Sequence, residues 1–101
     1  MEVLHLTLKK KWFDMILSGE KKEEYREDKD YWRRRLILRG EVADGRWYDE
    51  IHFTNGYGKK APFMRVEFKG LTSHGECLIE WGYSAGCFVI RLGKILETKN
   101  I

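Results

Sequence analysis

The sequence predicts one small α+β domain, a mostly antiparallel β-barrel with two short helices inserted early in the chain. Three observations support this fold class. The chain has 101 residues, which is enough to bury one core but not two, so residues 1–101 are expected to form a single domain. Hydrophobic residues make up 43% and aromatic residues 14%, so a core can form without disulfides. Five or six segments alternate like strands, and two have helical periodicity.

The first strand and the first helix have the clearest patterns. Residues 3–8 alternate leucines with polar side chains, which is the period of a half-buried strand. Between residues 9 and 18 the period changes, and apolar residues recur at i,i+4 spacing on one helical face. The pairs are Trp12 with Ile16 and Phe13 with Leu17. Gly19 then supplies a helix stop.

The remaining elements are predicted from turn signals and alternation. Residues 21–26 indicate a turn entering a strand, and residues 31–35 a second short helix that Asp28 or Asp30 caps. A turn-rich loop near residues 40–45 follows. Four further strands are then predicted at residues 50–54, 63–71, 76–81 and 88–96.

Charge and composition narrow the partners. The net charge of +3 is too small for a protein that coats DNA nonspecifically. Residues 1–40 contain 11 basic and 8 acidic side chains, a surplus of 3, whereas the rest of the chain is balanced at 8 of each. An anionic ligand is therefore expected near the first part of the chain. No apolar run is long enough to cross a bilayer and no leader pattern is present, which predicts a cytoplasmic protein without a membrane partner.

Metal and cofactor chemistry is disfavoured. Cys77 and Cys87 lack zinc-ligand spacing, and both are expected to be reduced, packed thiols. His5, His52 and His74 are scattered, with no i,i+4 pair. The sequence therefore predicts neither a metal site nor a cofactor.

One motif carries the functional interpretation. Residues 19–26 fit the pattern G-x-K-x-x-E-x-R directly after the amphipathic helix. On a strand, Glu24 and Arg26 project from the same face, and Lys21 reaches in from the turn, so that three charged groups meet at one mouth. A carboxylate between two cations can accept from a base edge or position a water. The alternative is a surface ion pair worth no more than about 1 kcal/mol, with Lys21 solvated.

This stretch also resembles a known family. Residues 9–27 are similar to the N-terminal signature of ASCH domains, and F-x-N-G-Y at residues 53–57 and the closing residues 88–95 resemble that family too, so the likeness covers essentially the whole chain. The resemblance implies a PUA-like β-barrel with a cleft beside the motif. It also implies roles in RNA metabolism, coactivation or modified-nucleoside processing.

A branch of that family sets a limit on the chemistry. Acetylcytidine amidohydrolases are similar to this chain at Lys21 and Arg26 but carry Thr, their proposed nucleophile, where this chain has Glu24. A carboxylate is a poor acyl acceptor and suits base or water-positioning work instead. The same deacetylation mechanism is therefore not expected here.

Several residues outside the motif are candidates for ligand binding. Three lysines at residues 9–11 open the first helix, either as an anion site or as solvated charges. Residues 55–60 combine an amide, a tyrosine and two lysines, which suits base stacking and phosphate contact but is also a plain hairpin turn. Trp32, Trp47 and Trp81 are possible stacking faces that the sequence does not rank. The residues predicted to bind the ligand outside the motif are Lys9, Lys11, Asn55, Tyr57, Lys59 and Trp81.

Three functions follow. The leading hypothesis is a module that binds RNA or a nucleoside- or nucleotide-like ligand through Lys21, Glu24 and Arg26. The second is a small hydrolase acting on a modified nucleoside or on RNA, with Glu24 as base and the two cations stabilising developing charge. The third is a protein-interaction module in which these charges are unimportant. The sequence predicts no particular oligomeric state.

Overall fold

The computed structural model describes residues 1–27, 30–36, 48–75 and 87–101. Five strands and two helices lie in these ranges. They are β1 (Val3–Leu8), α1 (Lys10–Leu17), β2 (Glu23–Glu27), α2 (Asp30–Leu36), β3 (Glu50–Asn55), β4 (Phe63–Gly75) and β5 (Cys87–Lys99). The chain divides into two compact units, and the long strands β4 and β5 each contribute residues to both.

The first unit contains residues 1–22, 48–68 and 92–101. Its strands lie in the order β1, β3, β4, β5. β1 pairs with β3 in parallel, with Leu8 opposite Asn55, and β3 pairs with β4 in the antiparallel direction. Parallel strands need a long connection, which the chain between β1 and β3 supplies.

The core of the first unit follows from strand alternation. Leu4, Leu6 and Leu8 are buried, whereas His5 and Thr7 between them are exposed. β3 and β4 face the same core, and α1 packs against β1 and β3. The buried apolar side chains that α1, β3 and β4 contribute to the first unit are Phe13, Ile16, Ile51, Phe53, Met64, Val66 and Phe68. Burial of these side chains holds the sheet in the register that fixes its polar face.

The second unit contains residues 23–47 and 69–91, of which 28–29, 37–47 and 76–86 lie outside the described residues. Its strands lie in the order β4, β5, β2, and β2 is antiparallel to β5 with Glu24 opposite Ile90 and Arg26 opposite Phe88. All four side chains from Cys87 to Ile90 are buried. A strand with consecutive buried side chains is covered on both faces. Tyr25 of β2 packs with Cys87 and Val89, and Leu36 of α2 is also buried.

These elements confirm the predicted α+β class, mostly strands with two short helices early in the chain. The helix predicted at residues 31–35 and the strands predicted at 50–54, 63–71 and 88–96 are all present, with β4 and β5 longer than expected. Within the described residues, two of the three strand pairs with a defined register are antiparallel, and β1–β3 is not. The strand predicted at 76–81 lies outside the described residues. The single domain stays a prediction.

The expectation of reduced cysteines is wrong for Cys87. This residue is 1% exposed, packs with Tyr25 and Val89, and is disulfide-bonded. The spacing of the cysteines excluded a zinc site but contained no signal for a disulfide, because pairing depends on which strands the fold brings together. Cys77 lies outside the described residues.

Neither described helix has the length and apolar character that crossing a membrane requires, since α1 has 8 residues and α2 has 7. The cytoplasmic location stays a prediction.

Candidate functional site

The turn after α1 places Lys21. α1 ends at Leu17, and Gly19 adopts a φ of 88°, a conformation that favours glycine. The Lys21 N–H then donates to the Met15 carbonyl at 2.9 Å, which folds the chain back onto the helix. Gly19 therefore ends the helix as the sequence predicted.

Lys21 itself is buried in the first unit. Its residue exposure is 3%, and its ammonium lies 5.2 Å from the centroid of the Trp12 ring. The Lys11 ammonium lies 4.8 Å from the same ring. An aromatic face attracts cations, and it does so more strongly where water is excluded. Lys21 is consequently not the solvated lysine of the alternative interpretation.

Glu24 and Arg26 lie together on β2 in the second unit. Arg26 Nη1 lies 3.3 Å from Glu24 Oε1, and the two side chains are only 11% and 4% exposed. Glu24 Oε1 also accepts the Tyr25 N–H at 2.9 Å, and Arg26 Nη1 donates to the Tyr25 carbonyl at 2.7 Å. The pair is therefore enclosed and oriented, unlike the surface ion pair weighed against it.

Tyr25 lies between these two residues on the strand, and its hydroxyl donates to Glu23 Oε1 at 2.8 Å. Burial, followed by this hydrogen bond, raises the pKa of the Tyr25 phenol above its ordinary value. Tyr25 thus stays a neutral donor that holds Glu23.

Helix α2 adds an aromatic and cationic cluster beside Arg26. The Arg26 guanidinium carbon lies 5.1 Å from the centroid of the Trp32 ring, and that of Arg35 lies 5.4 Å from it. Tyr31 packs edge-on against Trp32 with a centroid distance of 4.8 Å. Arg35 Nη1 also donates to the Tyr31 hydroxyl at 2.8 Å. We call Glu24, Arg26, Tyr31, Trp32 and Arg35 the Trp32 cluster.

Sequence reasoning found only part of the Trp32 cluster. Glu24 and Arg26 were predicted to share a face, and Trp32 was one of three unranked stacking candidates. Tyr31 and Arg35 were missed, although their i,i+4 spacing on a short helix is a signal that they are neighbours. The approach of α2 to β2 is a tertiary contact that periodicity does not contain.

Five of the six ligand-binding candidates predicted outside the motif lie in the first unit. Lys9, Lys11, Tyr57 and Lys59 are exposed, and Tyr57 is 91% exposed. Asn55 is not primarily a surface group, because its side-chain nitrogen donates to the Leu8 carbonyl at 3.1 Å. This bond links the end of β3, where the β3–β4 loop begins, to Leu8, which directly precedes Lys9. Trp81 lies outside the described residues.

A polar network on the outward face of the first unit was missed altogether. Arg65 donates to both carboxylate oxygens of Glu50, at 2.8 and 3.0 Å, and to Glu97 Oε1 at 2.9 Å. His52 Nε2 lies 3.0 Å from Glu50 Oε1. The hydrogen bonds from Arg65 and then from His52 lower the pKa of Glu50 to about 2. The network ties β3, β4 and β5 together on one face of the first unit.

A metal ion has no obvious place in the part of the chain that the structure describes, where no group of three His, Cys, Asp or Glu side chains is positioned to hold one. Comparison with protein-family models, with curated proteins and with solved structures finds no match to this chain. The ASCH family therefore stays a prediction from the sequence.

Proposed function

We propose that this protein is an ASCH-type module on a PUA-like barrel that binds RNA or a nucleoside- or nucleotide-like ligand through the Trp32 cluster. One observation carries the proposal. The Arg26 guanidinium is held by the enclosed Glu24 carboxylate while it lies over the Trp32 ring at 5.1 Å.

This arrangement suits a ligand that has both a flat ring and a negative charge. Guanidinium and aromatic planes are the two surfaces on which proteins stack nucleobases, and the cluster presents both. Guanidinium groups also donate in pairs to phosphate oxygens. Arg26 is already oriented by Glu24, so less conformational entropy is lost when a ligand binds.

Tyr31 supplies the accessible surface of the cluster. Its side chain is 59% exposed, although its ring packs on Trp32 and its hydroxyl accepts from Arg35. A base that covers Tyr31 would bury apolar area without any rearrangement of α2. The contact site is therefore expected at the Tyr31 side of the cluster.

Glu24 is enclosed beside Arg26, which suits a residue that orients this cation. Glu24 Oε1 accepts the Tyr25 N–H and lies against the Arg26 guanidinium, so this oxygen is used to hold the cation. A general base needs its oxygen directed at a substrate proton. Hydrolysis with Glu24 as base stays a prediction. The participation of Lys21 in the same site as Glu24 and Arg26 also stays a prediction.

Fluorescence anisotropy with a labelled random-sequence RNA pool tests the proposal. Trp32 supports both the Tyr31 ring that the base covers and the Arg26 guanidinium. Trp32→Ala is therefore expected to weaken binding roughly 5- to 150-fold, since one base–aromatic stack contributes about 1–3 kcal/mol. Arg34→Ala is the matched control, because Arg34 is an exposed cation on the same helix and is not part of the cluster. Equal affinity of Trp32→Ala and Arg34→Ala, or no RNA binding by the unaltered protein at low salt, contradicts the proposal.

A further inference from the structure

Three segments of the first unit bring lysines to the end of the sheet where β1 and β3 finish. The parallel register sets Leu8 beside Asn55, and the Asn55 side chain donates to the Leu8 carbonyl at 3.1 Å. The start of α1 and the β3–β4 loop are thereby fixed side by side. The Asn100 side chain donates to the Ala61 carbonyl at 3.2 Å, which adds the end of β5.

We call this surface the basic end. It contains Lys9, Lys10, Lys11, Tyr57, Lys59, Lys60 and Lys99.

Two of the six lysines have carboxylate partners. Lys10 pairs with Asp14, and Lys99 lies 3.8 Å from Glu97, which also accepts from Arg65. Within the described residues, the other four lysines of the basic end form no ion pair, and all four are exposed. Four neighbouring ammonium groups repel one another, so a polyanion that neutralises them is favoured.

Tyr57 projects from the same surface. It is 91% exposed, the largest exposure of any aromatic side chain in the part of the chain that the structure describes. Gly56 and Gly58 flank it, and the loop is closed by a bond from the Asn55 N–H to the Pro62 carbonyl at 2.9 Å. An aromatic ring held out on a closed loop among cations is the surface that stacks an unpaired base beside its phosphates.

We infer that the basic end binds the phosphate backbone of a single-stranded nucleic acid, with Tyr57 stacking on a base. This inference rests on the proposed function, which supplies the ligand class of RNA or a nucleoside- or nucleotide-like molecule. Within that class it selects a single-stranded nucleic acid rather than a free nucleoside. The residues that carry it all belong to the first unit, and none of them is a member of the Trp32 cluster. An acidic protein or an anionic membrane would match the lysines but gives no reason for a planar ring among them.

The test is a salt titration of binding to a labelled uridine dodecanucleotide. Two double variants remove charge from the basic end, Lys9→Gln with Lys11→Gln and Lys59→Gln with Lys60→Gln. The control double variant, Lys22→Gln with Lys94→Gln, removes equal charge from exposed lysines of the same unit. The Lys22 carbonyl accepts the Leu92 N–H, and the Lys94 N–H donates to Glu67. Glu67 lies opposite Glu50, the first residue of β3, so the control lysines lie toward the end of the sheet opposite the basic end.

Each basic-end double variant is expected to reduce the slope of log affinity against log salt by about 1.4, because each lost phosphate contact on a single strand contributes about 0.7. Tyr57→Ala is expected to weaken binding at least several-fold without changing that slope. All substituted residues are exposed, so thermal melting should be unchanged.

The inference is overturned if both basic-end variants match the control, or if the unaltered protein binds phosphatidylserine vesicles or polyglutamate as tightly as the dodecanucleotide. The Trp32→Ala variant in the same assay separates the two proposals. Binding that depends on the lysines but not on Trp32 refutes the proposed function alone, and the reverse result refutes this inference alone.

Discussion

The guanidinium of Arg26 lies 5.1 Å from the centre of the Trp32 ring, while its Nη1 lies 3.3 Å from the carboxylate of Glu24. One cation is thus shared between an enclosed carboxylate and an aromatic face that a second cation, Arg35, also approaches. Pairing of this kind fixes a guanidinium in one orientation at some cost in desolvation. A preoriented guanidinium is useful for recognising a planar, charged ligand.

The Glu24–Arg26 pair should be more strongly coupled than an exposed pair. A double-mutant cycle with Glu24→Gln and Arg26→Gln is expected to give a coupling of roughly 1–3 kcal/mol in urea unfolding. Lys10 and Asp14, whose side chains are 78% and 51% exposed, provide the control cycle, for which about 0.3–0.5 kcal/mol is expected. Equal coupling in the two cycles would show that enclosure contributes nothing to the Glu24–Arg26 pair.

Arg35 should report on the charge of the ligand. Replacement of Arg35 by Ala removes a guanidinium that approaches both Trp32 and Tyr31, so a nucleoside monophosphate should lose more affinity than the corresponding nucleoside. Isothermal titration with the two ligands, repeated on Arg34→Ala, measures the difference. If both ligands lose the same affinity in the Arg35 variant, this residue does not contact the phosphate.

The polar network of the first unit should make stability depend on acid. Its hydrogen bonds lower the pKa of Glu50 to about 2 from an ordinary value of 4.5. A carboxyl whose pKa is lower in the folded state stabilises the fold fully above its unfolded pKa. That contribution is lost as the pH falls from about 4.5 through 2.

Urea melts across this acidic range test the pH dependence. In Glu50→Gln the fall in unfolding free energy between pH 5 and 2 should be smaller than in the unaltered protein. The pKa of Glu97 is also lowered, chiefly by Arg65, so part of the fall remains in that variant. Superimposable pH profiles for the two proteins would contradict the assignment of Glu50.

Gly70 should resist substitution. Its φ is 149° within β4, and an added Cβ would lie 2.8 Å from Nη2 of Arg91. Arg91 is held there by a hydrogen bond from Nη1 to the Thr72 hydroxyl at 2.6 Å. Gly70→Ala is therefore expected to cost about 1–3 kcal/mol of unfolding free energy, mostly from the backbone.

The double variant Gly70→Ala with Arg91→Ala separates the two causes for Gly70. Removal of the guanidinium relieves the contact but not the backbone strain, so the double variant should recover only a minor part of the loss. Equal melting temperatures for Gly70→Ala and the unaltered protein would contradict this prediction, because they would show that β4 relaxes around the new methyl group.

Local patterns predicted the elements of this protein well. The leucine alternation in β1 and the i,i+4 pairs in α1 are short-range signals that a few residues fully specify. Phe13 and Ile16 are buried, their i,i+4 partners Leu17 and Trp12 are half-buried, and Gly19 ends the helix. The same-face relationship of Glu24 and Arg26 also depends only on strand geometry.

Relationships between distant residues could not be predicted. The Glu50–Arg65 pair depends on the register that sets Glu50 opposite Glu67 and His52 opposite Arg65, and the parallel pairing of β1 and β3 is invisible to alternation. The approach of α2 to Arg26 has the same origin. Tyr57 and the lysines were singled out by composition, but their assembly at one end follows from Leu8 lying opposite Asn55.

The most direct test of the central proposal is a nuclear magnetic resonance titration with a nucleoside monophosphate, followed on the Trp32 indole N–H and the guanidinium N–H signals of Arg26 and Arg35. Arg34 provides the reference signal, and single substitutions assign each resonance. We expect saturable shifts at Trp32, Arg26 and Arg35 with no comparable shift at Arg34. Saturable shifts elsewhere in the protein, with these three residues unmoved, would show that the ligand site is not the Trp32 cluster.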